Sequence, residues 1–207
     1  MTTMKKILIL LLAAVVSISA VEAQQLSKRE LKAQKKELQK EVAGYTAEGW
    51  KVLPGELNIS QQITRSRAHK QMVDENGEPK YVVAQVTAVG QTYKAAVFAA
   101  QNGAKVQAAN ALKGEIEQLV KTDLANVEDA NKEAVSVDKV VSAAMERVSA
   151  SLGQGVILTT MHRDVPQNGN VEVVFGCAYS YKKLKELAVE AQKKSLKDEI
   201  EELHKKL

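Results

Sequence analysis

VILTTMHRDVPQNGNVEVVFGCAYSY, residues 156–181, is the stretch that decides the fold. Two apolar runs, Val156 to Val165 and Val171 to Tyr181, flank the segment Pro166-Gln167-Asn168-Gly169-Asn170. An Asn-Gly pair between two such runs is the strongest short-range signal of a β-hairpin. In the second run, the odd-numbered residues from 171 to 179 alternate with the even-numbered ones, as on the two faces of a strand. The sequence therefore predicts two antiparallel strands.

A third strand is predicted from Tyr81 to Val89, because Val82, Ala84, Val86 and Ala88 fall on one face. From about Gln91 to Leu124 the pattern predicts one long helix, rich in alanine in its first half. Gly103 lies inside this helix, where glycine costs about 0.5–1 kcal/mol relative to alanine. We interpret it as a point where the helix closely approaches a sheet or another helix. Further helices are predicted at about 60–72, 137–152 and 182–207.

These elements predict an α+β fold. The order is helix, helix, strand, long helix, helix, strand, strand, helix, and the first strand can join the C-terminal hairpin once the intervening helices cross the sheet. We expect a three-stranded, mostly antiparallel sheet with helices packed on one face. Polar amphipathic helices are predicted at both termini. At the first of these, Ser27 is the expected N-cap, with Glu30 at capping-box spacing.

The N-terminus resembles a secretory signal. Lys5 and Lys6 precede an apolar run from Ile7 to Val21, and Val21-Glu22-Ala23 supplies small residues for cleavage after Ala23. The alternative is a retained membrane anchor, but the run is shorter than the roughly 20 residues that span a bilayer. The predicted organisation is a cleaved signal peptide (1–23), a polar helix (24–48), a single α+β domain (49–190) and a C-terminal amphipathic helix (191–207).

Charge and cysteine content exclude several classes of function. Without residues 1–23 the chain has 27 basic and 24 acidic side chains, a net charge of +3, and its lysines alternate with glutamates. Nucleic-acid-binding proteins usually gather their basic residues on one face together with aromatic side chains. We therefore predict that this chain does not bind nucleic acid. Cys177 is the only cysteine, so an exported chain forms no internal disulfide. Because Gln24 and not cysteine follows the predicted cleavage point, a lipoprotein anchor is not expected.

The sequence contains no recognisable catalytic, cofactor-binding or metal-binding motif. Cys177 is interpreted as a small buried residue, since His69, His162 and His204 all lie far from it in sequence. His162 and Asp164 fall on one face of a predicted strand, so a His–Asp pair is geometrically possible; ordinary surface placement is the alternative. We predict no catalytic residues, no cofactor and no metal site.

Interaction residues are the remaining candidates. Trp50 either anchors a partner, as large aromatics often do, or fills the edge of the core beneath a loop. Narrow apolar seams are predicted on both terminal helices: Leu31 and Leu38 on the first, and Leu196, Ile200 and Leu203 on the last. Such seams either pack within one molecule or mediate self-association.

Residues 81–184 resemble the LPP-twenty lipoprotein family of bacterial envelope proteins. The resemblance lies in Tyr81-Val82-Val83-Ala84-Gln85-Val86, in the alanine-stepped helix that follows, and in Tyr179-Ser180-Tyr181-Lys182-Lys183-Leu184. Gly49-Trp50-Lys51-Val52 with Pro54-Gly55 is similar to secreted Bacteroidetes-type proteins of unknown function. These resemblances imply a compact α+β fold and envelope localisation, and they supply no catalytic residues.

The expected function is that of an exported, non-enzymatic envelope protein acting through protein–protein or envelope contacts. The expected location is the periplasm, with or without association with the outer membrane, or alternatively the extracellular space. Its partner is expected to be another envelope protein or a second copy of itself, and no transmembrane span is expected in the mature chain. The alternative function is a periplasmic small-ligand-binding module that uses the sheet face left open by the helices.

Overall fold

The computed structural model describes residues 28–127 and 134–206, and it confirms the α+β class. The predicted signal peptide, the Ser27 cap and Leu207 lie outside these residues. Contacts divide the chain into two compact units between Glu41 and Val42, so residues 191–206 share a unit with the sheet. The described elements are α1 Lys28–Ala47, α2 Ile59–Gln71, β1 Tyr81–Gly90, α3 Tyr93–Asn110, α4 Lys113–Ala125, α5 Val137–Ser151, β2 Val156–Val165, β3 Asn170–Ser180 and α6 Tyr181–Lys206.

The three strands form one antiparallel sheet in the order β1-β3-β2. The predicted hairpin is present, and Gly169 in its turn has a φ of 68°, a conformation that glycine adopts without strain. In the register, Val86 of β1 lies opposite Phe175, and Met161 of β2 lies opposite Val174. The central strand β3 is therefore the last strand of the chain.

The main core lies between one face of the sheet and helices α3 to α6. Alternate residues of β3, including Val173, Phe175 and Cys177, face this core. The alanines of α3 that are buried against it are Ala96, Ala100, Ala104, Ala108 and Ala109. A Cβ at Gly103 would lie 2.9 Å from Val86 Cγ1, which confirms the predicted close approach of this helix to the sheet.

The prediction of one long helix from about 91 to 124 is wrong, because the structure has two helices there. It is interrupted at Ala111 and Leu112, where Leu112 takes up a non-helical conformation before α4 begins. Neither residue is a helix breaker. Leu112 is 1% exposed, and the interruption places it in the core. It also redirects the chain, because α3 packs on the sheet whereas α4 packs on α5 and α6.

One helix, α2, also contributes to the opposite face of the sheet. Ile59, at the start of α2, packs with Trp50, Met161 and Val174 on the opposite face. Further along α2, its buried positions Gln62, Ile63 and Ser66 mark the side that meets the strands. The physical reason is that Met161 and Val174 give the second face apolar residues of its own, which need a cover. The part of this face around Met161 and Val174 is thus covered.

Candidate interaction surface

Trp50 belongs to the fold. It is 6% exposed, and its indole packs against Met161 and Val174 on the second face of the sheet. The Arg163 guanidinium lies 4.6 Å from the centre of the ring, a cation–π arrangement. The indole nitrogen donates a hydrogen bond to Glu48 Oε2 at 3.1 Å. Trp50 therefore holds the segment before α2 against the sheet.

His162 and Asp164 share a strand face, but the structure does not join them as a pair. The His162 ring meets Tyr93 edge-on at 5.4 Å between centres, and its buried Nδ1 has no hydrogen-bond partner within the described ranges. The Asp164 side chain is 76% exposed, and its Oδ2 lies 3.5 Å from Lys51 Nζ. This arrangement matches the surface-placement alternative for Asp164.

The two predicted helical seams differ in their surroundings. Leu196 is 6% exposed and belongs to the main core, and Ile200 and Leu203 pack partly against it. Ion pairs from Lys139 to Glu199 and from Arg147 to Asp198 tie this end of α6 to α5. On α1, by contrast, Leu31 is 52% exposed and Leu38 is half-buried.

The described residues hold no group of three His, Cys, Asp or Glu side chains placed to bind a metal ion. Burial raises the pKa of the Cys177 thiol, which is 2% exposed, so the reactive thiolate is disfavoured. Over the same residues, no helix has both the length and the apolar character needed to cross a bilayer.

The outer edge of β2 is closed by two local contacts. The backbone of Lys51 exchanges two hydrogen bonds with that of His162, at 2.8 and 2.9 Å. Two residues earlier, the Thr160 N–H donates to Gln62 Oε1 at 2.7 Å, and the Thr160 carbonyl accepts from Gln62 Nε2 at 3.4 Å. The Gln62 amide therefore stands in for a neighbouring strand, a protection that exposed sheet edges usually need.

Most of the outer edge of β1 has no hydrogen-bond partner among the described residues. Its outward-facing backbone groups belong to Tyr81, Val83, Gln85, Thr87 and Val89, the residues between those that bond β3. Among the described residues, one hydrogen bond reaches these outward groups: the Gln85 N–H donates to Gln107 Oε1 at 2.8 Å. The strand has ten residues, no charge, no proline and no bulge. Edge strands of natural sheets are usually protected by a charged side chain, a proline or a β-bulge, or they are very short.

An exposed row on α3 runs beside this edge. Ala95, Ala99, Asn102 and Val106 follow 4-3-4 spacing, so they share one side of the helix. This side adjoins Gly103 and Gln107, the positions that touch β1. Val106, 49% exposed, is the large apolar side chain of this row. We call the outward edge of β1 together with Ala95, Ala99, Asn102 and Val106 the β1 edge surface.

A cleft of about 660 Å³ lies elsewhere, between the loop before β1 and the start of α6. Its charged side chains are Asp74, Glu78, Glu186, Lys80, Lys182 and Lys185. Two of these, Lys185 and Glu78, already pair at 3.2 Å. The Tyr181 hydroxyl lies beside the cleft and donates to Glu115 Oε1 at 2.6 Å, and this bond raises the pKa of Tyr181 to about 12.

Sequence reasoning found β1 and the alanine-rich helix but did not identify the β1 edge surface. Strand order is not encoded locally, and the prediction did not state which strand would lie at an open edge. The available signal was the uncharged run Tyr81–Gly90 followed by Val106, a large apolar residue outside the buried alanine register of α3.

Comparisons of the chain with protein-family models, with curated proteins and with solved structures give no match.

Proposed function

We propose that this chain is an exported, non-catalytic protein of the bacterial envelope that acts by binding another protein chain through the β1 edge surface. One observation carries the proposal: Lys51 and Gln62 cover the edge of β2, whereas most of the edge of β1 has no hydrogen-bond partner among the described residues and runs beside exposed Val106. An open edge supplies main-chain hydrogen bonds to an added strand, and flanking apolar side chains supply specificity.

Export is supported by the N-terminal pattern of Lys5, Lys6 and the following apolar run, and by the resemblance of residues 81–184 to envelope proteins. The test is to express the full chain in a bacterial host, recover the envelope fraction and sequence the N-terminus of the product. We expect a chain that begins at Gln24. The control Leu11→Lys breaks the apolar run and should leave the product in the cytoplasm. A wild-type product that keeps Met1 and stays in the cytoplasm would overturn export.

Binding is tested with a photo-crosslinking amino acid placed at Thr87, whose side chain is exposed beside the outward edge. Irradiation of living cells should give a discrete higher-mass adduct. The matched control places the same group at Lys197, which is 75% exposed on α6, far from β1 in sequence. No adduct at Thr87, or the same adducts at both positions, would contradict a binding role for this edge.

A small-ligand-binding role is the second candidate, and the 660 Å³ cleft favours it. Cavities of about 300–1,000 Å³ are typical of ligand sites. Three carboxylates and three ammonium groups around one cleft match a zwitterion, so free amino acids are the suitable probes. NMR titration should shift the amides of residues 74–80 and 180–186. A uniform absence of shifts at millimolar probe would exclude this class of ligand.

A further inference from the structure

The open edge of β1 is complementary to itself. Antiparallel strands exchange N–H and C=O groups between residues that lie directly opposite each other. A twofold axis through the edge therefore lets the same residues act as donors and acceptors in both copies. Between Tyr81 and Gly90 the strand has no charged side chain, so no like charges face each other across such an axis.

We infer that the partner of the β1 edge surface is a second copy of this chain, joined β1 to β1 in a continuous six-stranded antiparallel sheet. The inference rests on the proposed binding role of this surface and names its partner.

The number of outward residues selects one register. With the axis at Gln85, Tyr81 lies opposite Val89 of the other copy, Val83 lies opposite Thr87, and Gln85 lies opposite its own equivalent. All five outward residues are then paired, which gives about ten backbone hydrogen bonds. That is the number found in a typical protein interface. Gln107, which accepts from the Gln85 N–H in the single chain, is exposed and can turn aside.

Neighbouring registers pair fewer groups. An axis at residue 84 would place Val89 opposite Pro79, which has no N–H to donate. An axis at residue 86 would place Tyr81 opposite Gln91, beyond the end of the strand. Each shift therefore leaves outward groups of both copies without a strand partner.

The same axis brings the two α3 helices together. An axis perpendicular to the sheet keeps equivalent faces on the same side, so the exposed row of one copy meets that of the other. Ala95 and Ala99 are small enough to let the helices approach at the short end of the usual 8–10 Å between axes. Val106 would then lose exposed surface.

This second layer is the reason to prefer a copy of the chain to an extended peptide. A peptide would form the strand hydrogen bonds but would leave the α3 row uncovered. A second β1–α3 unit covers both layers with residues of matching chemistry.

The first test is the mass of the full chain in solution, measured by multi-angle light scattering at micromolar concentrations. We expect a dimer. Gln85→Lys places two ammonium groups opposite each other at the axis and should weaken dimerisation at least tenfold. Ile157→Lys is the matched control, because it adds the same charge at a 50%-exposed apolar position near the other sheet edge. A wild-type monomer, or a dimer unaffected by Gln85→Lys, would overturn the inference.

The second test reads the register directly and does not depend on a disruptive variant. Directly opposed residues of a hydrogen-bonded pair have Cα atoms about 5.5 Å apart, which suits a disulfide. Gln85→Cys should therefore crosslink two chains under mild oxidation. Thr87→Cys, exposed on the same strand, would lie about 13 Å from its equivalent and should not crosslink. Cys177 is buried and does not compete. Equal crosslinking of both variants would contradict the register.

The photo-crosslinking adduct at Thr87 separates failure of this inference from failure of the proposed function. An adduct with the mass of two chains supports both. An adduct with a different protein leaves the binding role in place and overturns the dimer.

Discussion

At the scale of single residues, two glycines allow backbone and side chains to approach closely where any other residue would collide. Gly155 lies in the linker between α5 and β2, and an added Cβ would come 2.5 Å from the Ala178 carbonyl oxygen and 2.6 Å from Cys177 Sγ. At Gly103 the obstacle is the end of the Val86 side chain, which can move. The sequence indicated the role of Gly103 through its position in a helix, whereas Gly155 resembled an ordinary loop glycine.

Gly155→Ala should lower the free energy of unfolding by about 1–3 kcal/mol, because backbone and core atoms must shift to admit the methyl group. Gly153→Ala is the control in the same linker, since nothing lies within 4 Å of its added Cβ. Urea unfolding followed by circular dichroism measures both. Equal stability of the two variants would contradict the close approach.

The bond from Tyr181 to Glu115 predicts a pH dependence. The pKa of Tyr181 in the folded chain is about 12, above its usual value of 10. The stability that this bond contributes is therefore complete below pH 10 and is lost as the pH rises towards 12. We expect the stability difference between wild type and Tyr181→Phe, measured by urea unfolding, to shrink over that range. Glu115→Gln removes the carboxylate charge and should shift the loss towards pH 10; an unchanged pH profile in that variant would contradict the assignment.

At the scale of elements, the strands and most helices could be predicted because their patterns are local. The Asn168-Gly169 turn and the alternation of the flanking runs are enough to define the hairpin. The interruption at Ala111 and Leu112 could not be predicted, because both residues favour helix and only the burial of Leu112 explains it. The position of α2 on the second face depends on contacts with Met161 and Val174, far away in sequence.

The pairing of Gln62 with β2 can be tested at this scale. Gln62→Leu places a side chain of similar size at this position but leaves the Thr160 N–H and the Leu57 carbonyl without their hydrogen-bond partner. We expect a loss of about 1–3 kcal/mol in the free energy of unfolding. Gln71→Leu, at the exposed end of α2, should be neutral. If both variants were equally stable, the amide would have no role in closing the edge.

At the scale of the whole molecule, the unit from Val42 onwards has a core that extends along α6. Leu196, Ile200 and Leu203 were predicted as interaction residues because the sequence shows a narrow apolar stripe but not what it packs against. In the structure this stripe contacts the core through α5. Leu31 on α1, by contrast, is 52% exposed.

Leu196→Ala should therefore destabilise the fold by about 2–5 kcal/mol, the usual cost of such a truncation in a core. Leu31→Ala, at a 52%-exposed position, should change stability by less than about 0.5 kcal/mol. Urea unfolding of both variants decides the matter. A neutral Leu196→Ala would mean that the stripe on α6 is not part of the core.

The place of β3 at the centre of the sheet has a consequence for the order in which the chain folds. Within the sheet both edge strands pair with β3, so neither can join the sheet before residues 170–180 are available. Residue 86 must find residue 175, a long loop to close, and closing such loops slows folding. A chain that leaves the ribosome N-terminus first thus stays without its sheet until nearly all of it has been made.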